Sequence, residues 1–521
     1  MTGVASDSPV GVVGAGTMGA GIAEVAARAG HPVRLLDVVP GAADRGLDGI
    51  RSRLARDVEK GRLDQAGADG VARRLEVVDD VAAMAGCAVV VEAVAERLDV
   101  KRELFAALEE VLADDALLAT NTSSLSVTAI AATLRHPGRV VGMHFFNPAP
   151  RMRLVEVVRG DDTDADVVGA ATDLARAWGK TPVTCTSTPG FIVNRVARPF
   201  YGEAQRMAEE GVADPATIDA ILRECGGFPM GPFELTDLVG QDVNLAVSRS
   251  VWEQTFGDPR YAPTVFQQRL VDAGRLGRKS GRGVFDYGDG ADGARPSPTT
   301  EPSRPAPADV RRTPHGWGPM EPFLDRVQAS GLEITTVDDH HGDAHHGDAH
   351  HLPAGLHLPG EGVLMPTDGR RAASWSAQTA GGVVLLDWMH DASTCTRVAL
   401  AADPGCTDGV LEAAVGLCQA AGVSVSVVAD RAGIVVARTV AMLVNEAVEL
   451  VTRGEATAGD VDVGMRLGTG YPAGPLEWGD ALGPDAVEGV LHELHAANPS
   501  GRYRPSPVLA DALPGRSLRD L

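Results

Sequence analysis

Residues 10–30 read VGVVGAGTMGAGIAEVAARAG. The apolar run Val10 to Val13 has strand character and passes directly into Gly14-Ala15-Gly16-Thr17-Met18-Gly19, then into an alanine-rich stretch of helical character. Within a strand, loop and helix in that order, Gly-x-Gly-x-x-Gly acquires physical meaning. Gly14 permits the tight turn, Gly16 lets a pyrophosphate approach the backbone, and Gly19 allows helix to pack closely on strand, with Thr17 and Met18 opening the helix. Free N–H groups of that first turn then face phosphate charge. Asp37 ends the next strand, 23 positions after Gly14, where a carboxylate accepts from the adenosine ribose hydroxyls and repels a 2′-phosphate. Val38 and Val39 follow it in place of arginine, so the pattern favours NAD over NADP.

Outward from that loop, strand-length apolar runs alternate with helical stretches, the signature of a doubly wound parallel sheet. Val33 to Asp37, Ala88 to Val94, Leu117 to Asn121, Val140 to Phe145 and Leu154 to Val158 read as strands, and Gly19 to Ala29, Arg45 to Lys60 and Lys101 to Val111 as helices. A Rossmann-type domain is expected over residues 8–187. Beyond Thr188-Pro189-Gly190 the strands stop, and Phe191 to Glu210 and Pro215 to Cys225 open an all-helical domain, residues 188–287. Residues 288–320 read as a linker, because the Gly-, Pro-, Ser- and Thr-rich stretch 288–307 has little apolar surface to bury.

A repeat organises the rest. PGFIVNR and FPMGPFELTDLVG, within residues 188–240, have counterparts AGIVVAR and YPAGPLEWGDALG within residues 431–483; Gly190, Asp219, Gly231 and Gly240 map to Gly433, Asp462, Gly474 and Gly483 at a constant offset of 243. A register kept without a gap over that distance implies a second copy of the helical domain, residues 431–510. Between them, residues 321–430 read as α/β material, with strands at 332–337, 383–388, 398–402 and 423–428 and a helix at 408–421. None of these strands opens into a glycine loop, so this is a degenerate segment. The histidine-rich insertion 338–351 invites a metal-binding reading, but its glycine-rich five-residue repeat lacks a rigid frame and reads as a solvated low-complexity tract.

Composition narrows the partners. A net charge of −23 disfavours nucleic acid or an anionic membrane as partner. An anionic ligand needs a local cluster of cations, and Arg53, Arg56 and Lys60 share one face at i, i+3, i+7 spacing if their stretch is helical. Six scattered cysteines with no C-x-x-C pair suggest reduced thiols and a cytoplasmic protein. The polar N-terminus carries no signal-peptide pattern, and no apolar run reaches membrane-span length.

The chemistry gathers at strand ends. Residues 140–148, VVGMHFFNP, place His144 and Asn147 at the carboxyl edge of a strand, where ligands bind in open α/β sheets. Asn121-Thr122-Ser123-Ser124 ends the preceding strand. Glu156 lies in the following strand, LVEVV, where a carboxylate among valines needs a cationic partner. A histidine beside it can be that partner.

GAGTMG at 14–19, NTSSL at 121–125, GMHFFNPAPRMRLVEVV at 142–158 and TPGFIVNR at 188–195 together resemble the L-3-hydroxyacyl-CoA dehydrogenases, over about residues 9–287 with a second partial match in the repeat. The duplicated helical domain resembles long members of the family, including those of phenylacetate-type aromatic acid degradation. The resemblance implies an oxidoreductase of fatty acid β-oxidation type that converts L-3-hydroxyacyl-CoA, of 3-hydroxybutyryl or 3-hydroxyadipyl kind, to 3-oxoacyl-CoA with NAD and without a metal. It implies His144 as general base, Glu156 as the acid that orients it, and Ser123 and Asn194 as groups holding the substrate oxygens. Glu96, Lys101, Ser123 and Asn147 would line the nicotinamide and ribose, and Lys60, with Arg53 and Arg56, would meet coenzyme A. Shorter relatives dimerise through the helical domain, so this chain is expected to be a monomer with an internal pseudo-dimer or a homodimer. Two other readings stay open: a dehydrogenase of a free hydroxy acid or sugar acid, and a nucleotide-binding scaffold without catalysis.

Overall fold

The computed structural model describes residues 4–5, 7–288, 296–313, 316–336, 354–510 and 517–521. They form two compact units, Met1–Arg195 with Arg453–Thr469, and Val196–Thr452 with Gly470–Leu521. The histidine-rich tract 338–351 lies outside the described residues.

In the first unit eight strands form one sheet: β1 Val10–Val13, β2 Val33–Leu36, β3 Leu75–Val77, β4 Val89–Glu92, β5 Leu117–Thr120, β6 Val140–Phe145, β7 Leu154–Arg159 and β8 Thr181–Thr186, in the order β3-β2-β1-β4-β5-β6-β7-β8. Strands β1 to β6 pair in parallel, and β7 runs antiparallel to β6. Their Val- and Leu-rich runs suit burial on both faces. Val12, Val91, Leu117 and Val141 are buried and meet the Thr17–Arg28 and Ala165–Ala177 helices in one core. This agrees with the doubly wound domain read from the sequence and adds the edge strands β3 and β8, whose apolar alternation is short. Because β4, β5 and β6 are parallel, Glu92, Thr120 and His144 all emerge at one sheet edge. The antiparallel turn to β7 then sets Glu156 directly opposite His144 in register.

The second unit holds a seven-stranded sheet and most of the helical material. Its strands are β9 Val310–Arg312, β10 Ile334–Thr336, β11 Leu356–Leu358, β12 Gly362–Pro366, β13 Val383–Leu386, β14 Arg397–Ala402 and β15 Ser424–Val428, ordered β10-β9-β11-β12-β13-β14-β15. The α/β segment therefore begins at Val310 and not at residue 321. Part of the expected linker is ordered as well. Glu301 N–H donates to the Val425 carbonyl at 2.8 Å, Ser426 Oγ to the Thr299 carbonyl at 2.7 Å, and Gln419 Nε2 to the Pro302 carbonyl at 3.0 Å. An extended proline-rich chain with few apolar side chains is held here through its backbone, an arrangement composition does not reveal.

The duplication reaches further upstream than its sequence motifs. Shifted by 243, β7 coincides with β14 and helix Ala165–Ala177 with helix Asp408–Ala420. The β12-β13-β14-β15 pairings, parallel, antiparallel, parallel, repeat those of β5-β6-β7-β8. The degenerate segment is thus a worn copy of the first domain's second half. At the same offset Asp387 stands where the first copy has His144, and Ala399 where it has Glu156. Asp387 accepts N–H bonds from Val435 at 3.0 Å, Val436 at 2.7 Å and Ala437 at 3.0 Å. Those residues lie 243 after Ile192, Val193 and Asn194.

Helix Arg198–Glu209 of the first helical copy packs beside helix Val436–Thr452 of the second. Glu203, fully buried, accepts from Arg438 at 2.8 Å, Arg502 at 2.7 Å and Tyr503 at 2.9 Å. Its counterpart Glu446 accepts from the Tyr261 hydroxyl, so the two copies face one another across a reciprocal pair of buried acids. The second helical copy also runs past residue 510, to a final turn at Leu518–Asp520.

Burial alone would raise the Glu203 carboxyl, but Arg502 and Arg438 outweigh it and hold it down at about 2. A carboxylate depressed in the folded state stabilises fully above its unfolded value, near 4.5, and that contribution, on the order of 3 kcal/mol, is lost as pH falls from there toward 2. Glu203→Gln is expected to destabilise the chain by about 3–5 kcal/mol at neutral pH, because it leaves arginines buried without their acid. Chemical unfolding from pH 7 to pH 3 checks both parts: the variant starts lower and loses less stability on acidification.

Candidate active site

Backbone geometry builds the nucleotide loop. Gly14 sits at φ 99°, and a Cβ there would lie 2.4 Å from the Ala93 carbonyl oxygen; one on Gly19 would lie 1.7 Å from the Gly14 carbonyl oxygen. Both glycines are required by the fold itself. Gly16 differs, since a Cβ there would meet nothing within 4 Å. That open space lies at the start of helix Thr17–Arg28, whose first turn has no side-chain cap, and it is what an approaching pyrophosphate needs. Gly16 and Thr17 are exposed and Met18 half-buried. Asp37 Oδ2 accepts the Ala15 N–H at 2.7 Å and Oδ1 the Val39 N–H at 2.9 Å. The acid expected to hold the ribose therefore also braces the glycine loop, leaving its remaining lone pairs for a ligand. These residues fit a bound dinucleotide.

His144 and Glu156 meet as expected. The imidazole Nδ1 lies 2.5 Å from Glu156 Oε2, with both side chains buried. Glu156 Oε1 accepts the backbone N–H of Ile192 at 3.1 Å and of Val193 at 2.9 Å. Gly190 at φ 80° and Phe191 at φ 51° turn the chain so that those amides point back at β7. Phe191, held in a conformation that bulky residues seldom adopt, packs edge-on to the imidazole at 5.8 Å, and Phe146 lies 4.7 Å away on a tilt. With Nδ1 committed to the acid, Nε2 is the nitrogen left for a substrate proton.

Asn194 Nδ2 reaches the Ser123 carbonyl at 3.5 Å, bringing together two residues that are 71 apart in sequence. Glu96 joins the same loop. Its Oε1 accepts from Thr122 Oγ1 at 2.6 Å, from the Ser123 and Ser124 amides at 3.0 Å, and from Ser124 Oγ at 2.9 Å. Burial pushes this carboxyl up, but Lys101 and those hydrogen bonds together hold it below its usual range. Asn147 is exposed just past β6.

Two residues expected to meet ligands are paired with internal acids. Lys101 is 1% exposed, with Nζ 2.6 Å from Glu92 Oε1 and 3.2 Å from Glu96 Oε2. Buried between two acids, it supports Glu96. Arg53 donates from Nε to the buried Glu24 at 2.6 Å, so it ties helix Ala42–Glu59 to helix Thr17–Arg28, with its side chain 32% exposed. Arg56 and Lys60 are exposed on that helix and at its end.

Three supporting residues escaped the sequence reading. Glu92 also accepts from Thr120 Oγ1 at 2.7 Å, locking the ends of β4 and β5 together. Asn121 Oδ1 accepts the Phe145 N–H at 2.8 Å, fixing the backbone immediately after His144. Lys180 Nζ donates to the Ala149 and Met152 carbonyls at 2.6 and 2.8 Å and braces the loop beyond it. Only Asn121, at a strand end, carried a signal that sequence could have used.

A glycine loop suited to pyrophosphate and a histidine paired to a buried acid at the same sheet edge define a dinucleotide-dependent oxidoreductase. Residues 9–188 match the NAD binding domain of 3-hydroxyacyl-CoA dehydrogenases, residues 190–287 and 433–519 their C-terminal domain, and residues 364–431 the reduced Rossmann-fold domain of 3-hydroxybutyryl-CoA dehydrogenase. The chain is 43% identical to 3-hydroxyadipyl-CoA dehydrogenase of Escherichia coli (strain K12), over 96% of each protein. A crystal structure of 3-hydroxybutyryl-CoA dehydrogenase from Escherichia coli K12 superposes with a TM-score of 0.86 at 41% identity, covering 97% of this chain and 98% of that one. A probable 3-hydroxybutyryl-CoA dehydrogenase of Bacillus subtilis is 42% identical over 53% of this chain and 96% of its own length. This protein belongs to the 3-hydroxyacyl-CoA dehydrogenase family.

The different roles of the glycines give a direct check on the nucleotide site. Gly16→Val is expected to keep the cofactor-free melting temperature within about 3 °C of the parent, a cost of under about 1 kcal/mol, because its side chain enters open space. The same change should weaken NADH binding at least tenfold in a fluorescence titration.

Proposed function

We propose that this protein oxidises L-3-hydroxyacyl-CoA to 3-oxoacyl-CoA with NAD, using His144 as the acid–base residue. The observation that carries this reading is the buried 2.5 Å contact between His144 Nδ1 and Glu156, at the sheet edge that also holds the glycine loop. The names of the relatives support the substrate class, 3-hydroxybutyryl and 3-hydroxyadipyl thioesters.

NAD, when bound, supplies the acceptor for the hydrogen on the hydroxyl-bearing carbon. His144 Nε2 takes the hydroxyl proton as that hydrogen departs, so negative charge does not accumulate on oxygen. Glu156 stabilises the resulting imidazolium and fixes the ring orientation through Nδ1. Ser123 and Asn194, already neighbours, supply hydrogen bonds to the substrate oxygen where charge develops. Phe146 and Phe191 flank the imidazole and keep water from it. In the reverse direction the imidazolium returns its proton to the reduced oxygen. Glu96 acts one step back, holding the 122–124 turn. Arg56 and Lys60 are the cations we assign to coenzyme A.

We further propose that the chain works as a monomer whose two helical copies take the place of a dimer, supported by the reciprocal acids Glu203 and Glu446. Light scattering should then give the mass of one chain, about 54 kDa.

His144→Gln is expected to bind NADH within about twofold of the parent and to lose turnover by about 100- to 10,000-fold, the range that acid–base catalysis supplies. Near-normal turnover would remove His144 from the mechanism. Steady-state kinetics with 3-hydroxybutyryl-CoA, 3-hydroxyadipyl-CoA and free 3-hydroxybutyrate separates the substrate classes; activity on the free acid equal to that on its thioesters would favour the hydroxy-acid reading.

A further inference from the structure

The second helical copy is not confined to the second unit. Its segment Arg453–Thr469 belongs with the catalytic sheet. The Thr186 N–H donates to the Glu455 carbonyl at 2.8 Å, and Ala456 bridges to Cys185, so the segment extends the β8 edge. The Glu455 side chain pairs with Arg195, a buried guanidinium, and accepts from Thr188 Oγ1 at 3.1 Å. Arg195 directly follows Asn194, and Thr188 opens the turn that carries Phe191.

Helix Ala458–Thr469 then lies against the residues that hold the catalytic acid. A Cβ on Gly464 would stand 3.2 Å from Ile192 Cγ2. One on Gly468 would stand 2.8 Å from Leu154 Cδ2 and 3.0 Å from Val193 Cγ2. Ile192 and Val193 are the two residues whose amides bind Glu156 Oε1. The first helical copy has different residues at these places. By the offset of 243, Glu455 corresponds to Val212, Gly464 to Ile221 and Gly468 to Cys225. The second copy has a charge where the first is apolar, and it has glycines where the helix packs closely on the Ile192, Val193 and Leu154 side chains.

We infer that the second helical copy serves catalysis through this segment, with Glu455 as a positioning residue that acts through Arg195 and the 188–194 turn on the Glu156–His144 pair. The inference rests on the proposed role of that pair. Two contacts define it: Glu455 fixes the start of the turn, and the glycine face of helix Ala458–Thr469 fixes its depth against β7. A small shift of the Ile192 and Val193 amides would let Glu156 rotate, and the imidazole would lose the orientation it needs to meet a hydroxyl. Misplacement of reacting groups by about 1 Å costs up to about a hundredfold in rate.

The test uses the full chain. In Glu455→Ala, kcat is expected to fall about ten- to a hundredfold, while KM for NAD and for the thioester stays within about twofold. The deuterium isotope effect with substrate labelled at the hydroxyl-bearing carbon should rise, because the chemical step becomes slower than product release. Glu455→Asp should recover turnover to within about threefold of the parent. Gly468→Ala, which presses on Val193 without touching the ion pair, should reproduce the loss of kcat and the isotope effect; if Glu455→Ala does not fold, Glu455→Asp and Gly468→Ala decide the matter. The inference is overturned if Glu455→Ala and Gly468→Ala both turn over within about threefold of the parent. It is equally overturned if turnover falls only in step with melting temperature and the isotope effect does not change. His144→Gln, assayed alongside, keeps the two readings apart: turnover surviving in that variant rejects the acid–base assignment, whereas its loss beside a normal Glu455→Ala rejects the positioning role alone.

Discussion

The site depends on where the two oxygens of Glu156 find their partners. A carboxylate in the middle of a buried strand is costly unless every lone pair is engaged. Here one oxygen meets an imidazole and the other meets two backbone amides. The first bond orients His144; the second ties the acid to the start of the helical domain. Sheet register, the Gly190–Phe191 turn and the packing behind Ile192 and Val193 all converge on that one group. The imidazole of His144 is therefore held by the fold as a whole.

The degenerate copy has an acid of its own against its helix start. At the register position of His144, just past the end of β13, Asp387 accepts the amides of a helix start reached through a Gly433–Ile434 turn with φ 74° and 51°, close to the values at Gly190 and Phe191. With Ala399 at the position of Glu156, the acid that meets these amides comes from the strand that carries His144 in the first copy. Burial raises its carboxyl to about 6, although four amides, those of Trp388, Val435, Val436 and Ala437, donate to it. An acid that ties the sheet to a helix start is thus present in both copies, and the imidazole in one. The acidic and glycine positions of Arg453–Thr469 lie against the copy that has the histidine.

Charge is managed locally across the molecule. A chain with a net charge of −23 buries several of its acids and pairs them internally: Glu92 with Lys101, Glu24 with Arg53, Glu203 with Arg438 and Arg502. Each such pair gains little over an apolar substitute, but losing one partner is expensive. Their placement, at the ends of β4 and β5, between two helices of the nucleotide domain, and between the two helical copies, makes them devices of register and orientation. The same economy explains why Lys101 and Arg53, plausible ligand contacts by sequence position, are already committed to internal acids.

Legible in the residues alone were the class of fold, the glycine loop, the pairing of the histidine with its acid, and the helical duplication. Each is written in a local pattern or a constant spacing: a strand running into glycines, valines flanking a lone glutamate, motifs repeated at 243. Tertiary structure alone decided which cations are free, that residues 299–302 lie along β15, that the duplication includes a worn half-sheet, and that residues 453–469 belong with the first sheet. The physical reason is range. Strand ends and turns follow from neighbours a few residues apart, whereas ion pairs such as Arg195 with Glu455, 260 residues away, depend on how elements pack, and no periodicity records the partner a buried charge will find.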